Sequence, residues 1–297
     1  MNGVLNIIKP AGMTSFDVAA YIRGRINQKK IGHTGTLDPG ACGLITLCLG
    51  TATKLVEYLV SMEKTYIAEL KLGRTTETLD EYGKTIEEKR YRYTREKLES
   101  VLDLFKGRSL QTPPMYSAIK INGKKLYELA RRGVDVKREK REIFIREIKI
   151  LDDSDTSSIM MKIVCSKGTY IRSLMADIGR EYGAGAHMGF LLRTQNGEFD
   201  IESAYTLEEI IAAHNNGTLE KILIGFDELL KNYDMILLDK KNSKAFLNGV
   251  FINTRKIKCE VEISNIYKVY NDNNTVIGLG EIIEKGKEVF LKSKKLL

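Results

Sequence analysis

The stretch Gly32-His33-Thr34-Gly35-Thr36-Leu37-Asp38-Pro39 holds a single carboxylate on a tight, polar loop. Pro39 fixes its own φ and biases Asp38 toward extended backbone, while Gly32, Gly35 and Gly40 bring backbone freedom around the acid. The apolar run Cys42-Gly43-Leu44-Ile45-Thr46-Leu47-Cys48-Leu49 that follows is short and bounded by glycines, which suits a buried strand able to anchor the loop on a rigid sheet. Asp-Pro and Gly-Thr pairs also mark ordinary turns. Local chemistry alone leaves Asp38 either a turn residue or a site residue.

Before this loop, Val4 to Ile8 reads as a strand, and Phe16, Ala19, Ala20, Arg23 and Ile26 read as the stripe of a helix capped by Ser15. After it, Thr51 is expected to cap a helix through Leu59, and Lys64 to Leu72 alternates as a strand with Tyr66, Ala68, Leu70 and Leu72 on one face. Leu98, Val101, Leu102 and Phe105 predict a helix over about 94–105, started by Thr94 and stopped by Gly107. Ile143 to Ile150 and Ile159 to Cys165 read as strands; Ile171, Leu174, Met175 and Ile178 mark a helix ending near Gly183. Thr206-Leu207-Glu208-Glu209 is a capping box. Beyond about residue 232, short strands at Val261–Tyr270, Val276–Ile283 and Glu288–Lys292 predict a small β-rich domain over 233–297, following a larger one over 1–232.

The 47 Lys and Arg exceed the 39 Asp and Glu by eight, so a polyanion such as nucleic acid is a plausible partner. Cys42, Cys48, Cys165 and Cys259 form no C-x-x-C pair and read as reduced core thiols, which points to the cytoplasm. No metal-ligand cluster, phosphate-cradling loop or dinucleotide fingerprint is present, so no metal and no cofactor is expected. No apolar stretch approaches the ~18 residues of a membrane span, and the start lacks the basic flank of a signal peptide. Tyr116 to Arg146 carries ten Lys or Arg against four acids, with Tyr116, Tyr127 and Phe144 interleaved. Cations and aromatics together suit an RNA strand, which offers phosphates to one and base faces to the other; a solvated helix with snorkelling lysines would look similar.

Taken together, the ordered motifs resemble the bacterial tRNA pseudouridine synthase B family along nearly the whole chain. They are Lys9-Pro10-Ala11-Gly12-Met13-Thr14-Ser15, the Asp38 loop, Lys64-Thr65-Tyr66, Leu72-Gly73-Arg74 with Asp80, Pro114-Met115-Tyr116-Ser117-Ala118, Ser166 to Arg172, and Gly185-Ala186-His187. The resemblance implies an α+β fold: a mixed α/β catalytic domain on a central antiparallel sheet, followed by a small RNA-binding barrel of the PUA type. It implies isomerisation of uridine 55 in the T-loop of tRNA, with tRNA as the partner and no obligatory protein partner. By the same resemblance Asp38 would be the nucleophile, Tyr66 would stack on the uracil and serve proton transfer, and Arg172 would pair with Asp38. Tyr170 and Leu191 would wall the pocket, Asp80 would join the polar network, and His33 would fill the gap left by the flipped base. Lys9, Pro10, Tyr116, Lys120, Lys124, Lys125, Arg131 and Arg132 would contact RNA, most of them from a thumb-type insert over about 116–141.

These residue types suit the chemistry. A C–N glycosidic bond must break and a C–C bond form at the same sugar carbon; a carboxylate could attack C1′, add to C6, or assist a glycal intermediate, and the sequence leaves all three open. Gly40 and Cys42 depart from the family pattern, in which a larger apolar residue and a hydroxyl residue are common. Dyskerin-like synthases that work in guide-RNA particles lack the thumb insert, so the basic segment favours a stand-alone enzyme. A non-catalytic tRNA-binding or folding factor is the rival from another class, and the intact Asp38, Tyr66, Tyr170 and Arg172 set speaks against it.

Overall fold

The apolar run after Asp38 forms the strand Cys42–Leu49, buried at every position but the first. Around it the computed structural model, which describes residues 1–121, 123–257 and 259–297, builds a nine-stranded sheet. Its main path runs Gly3–Lys9, Cys42–Leu49, Ala186–Asn196, Lys64–Leu72, Ser158–Cys165, Arg141–Asp155, Gly107–Gln111, with Ile31–His33 and Phe199–Asp200 paired at the side. Neighbours are antiparallel except at one joint, where Leu192 and Arg193 pair in parallel with Cys42 and Gly43. The chain leaves the sheet at His33, opposite Leu47, and re-enters at Cys42, so the Asp38 loop projects beside that joint.

One face is covered by Ser15–Arg25 and Leu207–Asn215, through Val18, Ala19, Ile22, Leu207 and Ile210 against Leu5, Ile7, Ile45 and Leu47. The other carries Arg95–Leu104 and Ile171–Tyr182, packed on Ala68, Leu70, Ile145 and Ile163. The alternation in Lys64–Leu72 buries Tyr66, Ala68, Leu70 and Leu72 as expected. Thr94 caps its helix, Thr206 and Glu209 form the expected capping box, and Gly183 closes Ile171–Tyr182 in the left-handed conformation.

Several local readings are corrected. Thr14 caps the first helix in a box with Asp17, while the Ser15 hydroxyl turns inward. The buried stripe of that helix is Ser15, Val18, Ala19 and Ile22, and Phe16 points to solvent. Thr51 caps nothing: Gly50–Leu55 is a 3-10 turn that leads into Val56–Val60. Gly32, Gly35 and Gly40 do not sit at left-handed φ; Gly43 does, at 103°, where a Cβ would lie 2.3 Å from the Arg193 carbonyl oxygen. Cys48 and Cys165 are buried, but Cys259 is exposed, so it is no core thiol.

The C-terminal part curls a second sheet, ordered Met235–Leu237, Ile266–Tyr270, Val276–Lys285, Glu288–Leu296 and Ile252–Asn253. Phe246 from the helix Lys240–Leu247 is fully buried in its core. Val276 and Leu279 meet Val4, Leu44 and Leu229, joining the two sheets by apolar contact. No helix among the described residues is long and apolar enough to cross a membrane.

Candidate active site

The loop bearing Asp38 is held from below by three neighbours. Lys9, wholly buried at the end of its strand, donates from Nζ to the carbonyls of Pro10 (2.8 Å), Pro39 (3.2 Å) and Ala41 (2.7 Å). The Ser15 hydroxyl accepts from the Leu37 amide at 2.8 Å and donates to its carbonyl at 3.2 Å. The Gly12 amide donates to the Pro39 carbonyl at 2.8 Å. These bonds replace the turn-forming role expected of the loop glycines. Burial pushes the Lys9 ammonium below its ordinary value, countered by Cys42 and Asp38.

Arg172, in the first turn of the helix Ile171–Tyr182, reaches Asp38 with two parallel bonds, Nε to Oδ2 at 2.8 Å and Nη2 to Oδ1 at 3.0 Å. Its remaining donors hold the Thr78 carbonyl (Nη1, 3.1 Å) and the Tyr116 carbonyl (Nη2, 2.8 Å), while Asp80 Oδ2 lies 3.6 Å from Nη1. One guanidinium thus binds together the Asp38 loop, the 76–83 turn and the start of the basic insert. Bidentate Arg–carboxylate geometry fixes the acid's plane as well as its charge.

The pair stands where two cavities meet. An outer one of about 750 Å³ is lined by His33, Gly40, Asp80, Tyr82, Tyr116, Lys125 and Arg131, together with Asp38 and Arg172. An inner one of about 480 Å³ shares Asp38, Arg172 and Leu191 with it, and adds Tyr66, Tyr170, Lys120 and Arg141. Tyr66 is deeply buried and its phenol is pushed up by that burial; the Tyr170 phenol is raised for the same reason. Tyr170 is fixed through its backbone, its amide donating to Gln111 Oε1 at 2.8 Å and its carbonyl accepting from Gln111 Nε2 at 3.0 Å. His33 carries a buried Nδ1 without a hydrogen-bond partner among the described residues, and burial and the nearby Arg193 push its pKa down.

Of the residues singled out in the sequence, Asp38, Tyr66, Arg172, His33, Asp80, Tyr170, Leu191, Tyr116, Lys120, Lys125 and Arg131 line these cavities. Lys9 lies beneath the loop, Pro10 lends it a carbonyl, and Lys124 and Arg132 are exposed outside both cavities. Sequence reasoning missed Arg193, and it quoted Lys64 within a motif without giving it a role. Arg193 is fully buried opposite Tyr66 on the neighbouring strand, and donates from Nε to the Leu44 carbonyl (2.7 Å) and from Nη2 to the Gly35 carbonyl (3.2 Å). Lys64 donates to the carbonyls of Val60 and Met62, and burial, then Arg193, pushes its ammonium down to about 8. A charged residue within an apolar run, as in Leu191-Leu192-Arg193, was the available signal for the first. Among the described residues no group of His, Cys, Asp and Glu is arranged to hold a metal.

The profile of the TruB family pseudouridylate synthase N-terminal domain matches residues 23–171, and that of the tRNA pseudouridylate synthase B C-terminal domain matches residues 172–237. A tRNA pseudouridine synthase B of Clostridium perfringens (strain 13 / Type A) is 44% identical over 299 residues, covering 100% of this chain and 99% of that protein. The corresponding protein of Clostridioides difficile (strain 630) is 38% identical, with 100% of this chain and 99% of that protein covered. Among solved structures, a chain in a crystal structure of a Cbf5-Nop10-Gar1 complex superposes with a TM-score of 0.74 at 25% identity, covering 99% of this chain and 84% of that chain. A chain in an H/ACA RNP bound to a substrate RNA containing 2'-deoxyuridine gives 0.72 at 23% identity, with 99% and 84% covered.

Proposed function

This chain belongs to the TruB family of pseudouridylate synthases, and on that premise we propose that it converts uridine 55 in the T-loop of tRNA to pseudouridine, with Asp38 as the nucleophile and without a cofactor. The observation that carries this reading is the bidentate Asp38–Arg172 pair at the junction of two cavities. Arg172 occupies both carboxylate oxygens from one side, and the partly open carboxylate faces the cleft from the other. A flipped nucleotide entering the inner cavity would bring its sugar to that carboxylate and its base between Tyr66, Tyr170 and Leu191.

The residues then divide the work. With Asp38 as the nucleophile, the C1′–N1 bond breaks, the uracil turns within the walled cavity, a C1′–C5 bond forms, and Asp38 is released as the free carboxylate. The displaced C5 proton must leave and N1 must gain one. Tyr66, whose buried phenol keeps its proton, supports the base by stacking and serves this transfer. His33, at the edge of the loop, fills the space the base vacates, and Asp80 holds the 76–83 turn against Arg172. Tyr116, Lys120, Lys125 and Arg131 face the cleft from the basic insert of about 116–141, with Lys124 and Arg132 meeting the RNA farther out. Lys9 and Pro10 act beneath the loop by shaping it.

We divide the chain into a catalytic domain over 1–232 and a PUA-like RNA-binding domain over 233–297. The basic insert supports an enzyme that binds the tRNA elbow without an obligatory protein partner, and its action is placed in the cytoplasm. Incubating the full chain with an unmodified tRNA transcript and mapping pseudouridine tests the assignment. One product in the T-loop is expected, and none from Asp38→Asn; a product elsewhere overturns the substrate.

A further inference from the structure

Tyr82 has no role in the chemistry above, yet at 77% it is the most exposed large hydrophobic side chain among the described residues, and it lines the outer cavity beside Asp38. Its placement is built. The Tyr82 amide donates to Asp80 Oδ1 at 3.2 Å and the Gly83 amide to the Asp80 carbonyl at 3.4 Å, so the turn is wound around the acid that faces Arg172. Leu79, at φ 62°, is held in this unusual conformation by the Met188 amide, which donates to its carbonyl at 3.0 Å.

The phenolic end of the ring rests on Gly40. A Cβ at position 40 would lie 2.3 Å from Tyr82 Cε2 and 2.9 Å from Cζ, although the Gly40 backbone itself would accept a side chain. The missing side chain two residues after Asp38 is therefore the seat of this ring. Phe16, 66% exposed, and the cations Lys125 and Arg131 line the same cavity. An aromatic ring kept in water on a fixed turn, with cations across the space it faces, matches the pairing by which proteins hold single-stranded RNA: bases on rings, phosphates on cations.

We propose that Tyr82, seated on Gly40, is a stacking platform for an unpaired RNA base next to the flipped nucleotide, and so a substrate-positioning residue of this enzyme. The inference rests on the reading that the cleft binds RNA. Tyr82 positions substrate from outside the reacting atoms, so its loss acts on affinity and leaves the chemical step at saturating RNA unchanged.

The test uses the full chain and a synthetic T-arm stem-loop RNA, with affinity read by filter retention and the chemical step by single-turnover pseudouridine formation at saturating enzyme. Tyr82→Ala is expected to weaken binding about tenfold, with the single-turnover rate within about twofold of wild type, and Tyr82→Phe to bind as wild type. Gly40→Ala, which evicts the ring, is expected to weaken binding in the wild-type background and to add nothing to Tyr82→Ala. A series of T-arm RNAs with one abasic nucleotide each should include one on which the Tyr82→Ala penalty disappears, and that RNA identifies the stacked base. Unchanged affinity of Tyr82→Ala, a fall in the single-turnover rate with affinity intact, or a penalty that persists on every abasic RNA would each overturn the proposal. Wild-type protein that binds the RNA but forms no pseudouridine sinks the catalytic reading, while the affinity comparison still decides the role of Tyr82.

Discussion

Arg172 and Asp38 form an asymmetric ion pair: the arginine side chain is 5% exposed, whereas the carboxylate it holds is 37% exposed. The cation is walled in by the carbonyls of Thr78 and Tyr116 and cannot follow solvent, so the anion is oriented from behind and presented toward the cleft.

Arg172→Lys keeps the charge but loses the fork that reaches both carboxylate oxygens and both carbonyls. A fall in kcat of about 100-fold is expected, with tRNA affinity within about threefold. Urea unfolding should show a loss of about 1–3 kcal/mol from the carbonyls left unpaired. A variant with wild-type kcat would remove Arg172 from the mechanism.

Tyr66→Phe keeps the ring in its buried seat and deletes only the hydroxyl. Affinity for tRNA should hold while kcat falls about 100-fold, the scale of a lost proton-transfer group. Wild-type turnover would limit Tyr66 to stacking.

Lys64 couples stability to pH. Its folded value of about 8 lies below the ordinary 10.5, so between these limits the unfolded chain keeps a proton that the folded chain has released. The group's contribution to stability is thus complete above pH 10.5 and is lost as pH falls through about 8. Lys64→Met removes that dependence. Relative to wild type, its stability should be higher at pH 7 than at pH 10 by on the order of 1–3 kcal/mol, measured by urea unfolding at each pH. A difference independent of pH would show that the buried ammonium is not strained.

Lys125 and Arg131 face the outer cavity from the basic insert. RNA affinity should fall as salt rises, and removing both charges should flatten the slope of log affinity against log salt by about 1 to 2. An unchanged slope in the Lys125→Ala, Arg131→Ala double variant would take these side chains away from the phosphates.

Signals carried by near neighbours were legible along the chain. The alternation in Lys64–Leu72, the Thr206–Glu209 box and the glycine stop after Tyr182 depend on residues within a few positions, and the sequence alone determined them. The motifs likewise point to Asp38, Tyr66, Tyr170 and Arg172. The strand Ala186–Asn196 was not legible, although it lies in the middle of the sheet, because Gly189, Arg193 and Gln195 interrupt any alternation. Several of its polar groups find distant partners, such as the Leu44 carbonyl for Arg193 and the Thr65 hydroxyl for Gln195. The same limit hid the seat of Tyr82 on Gly40, a contact between side chain and bare backbone that no local pattern encodes. Sequence determined the elements set by near neighbours and which chemical groups are available; the tertiary structure decided the rest of the sheet and which groups meet. The reason is physical: Asp38 and Arg172 lie 134 positions apart, and only the order of strands brings a loop at one joint of the sheet to the first turn of a helix packed on its face.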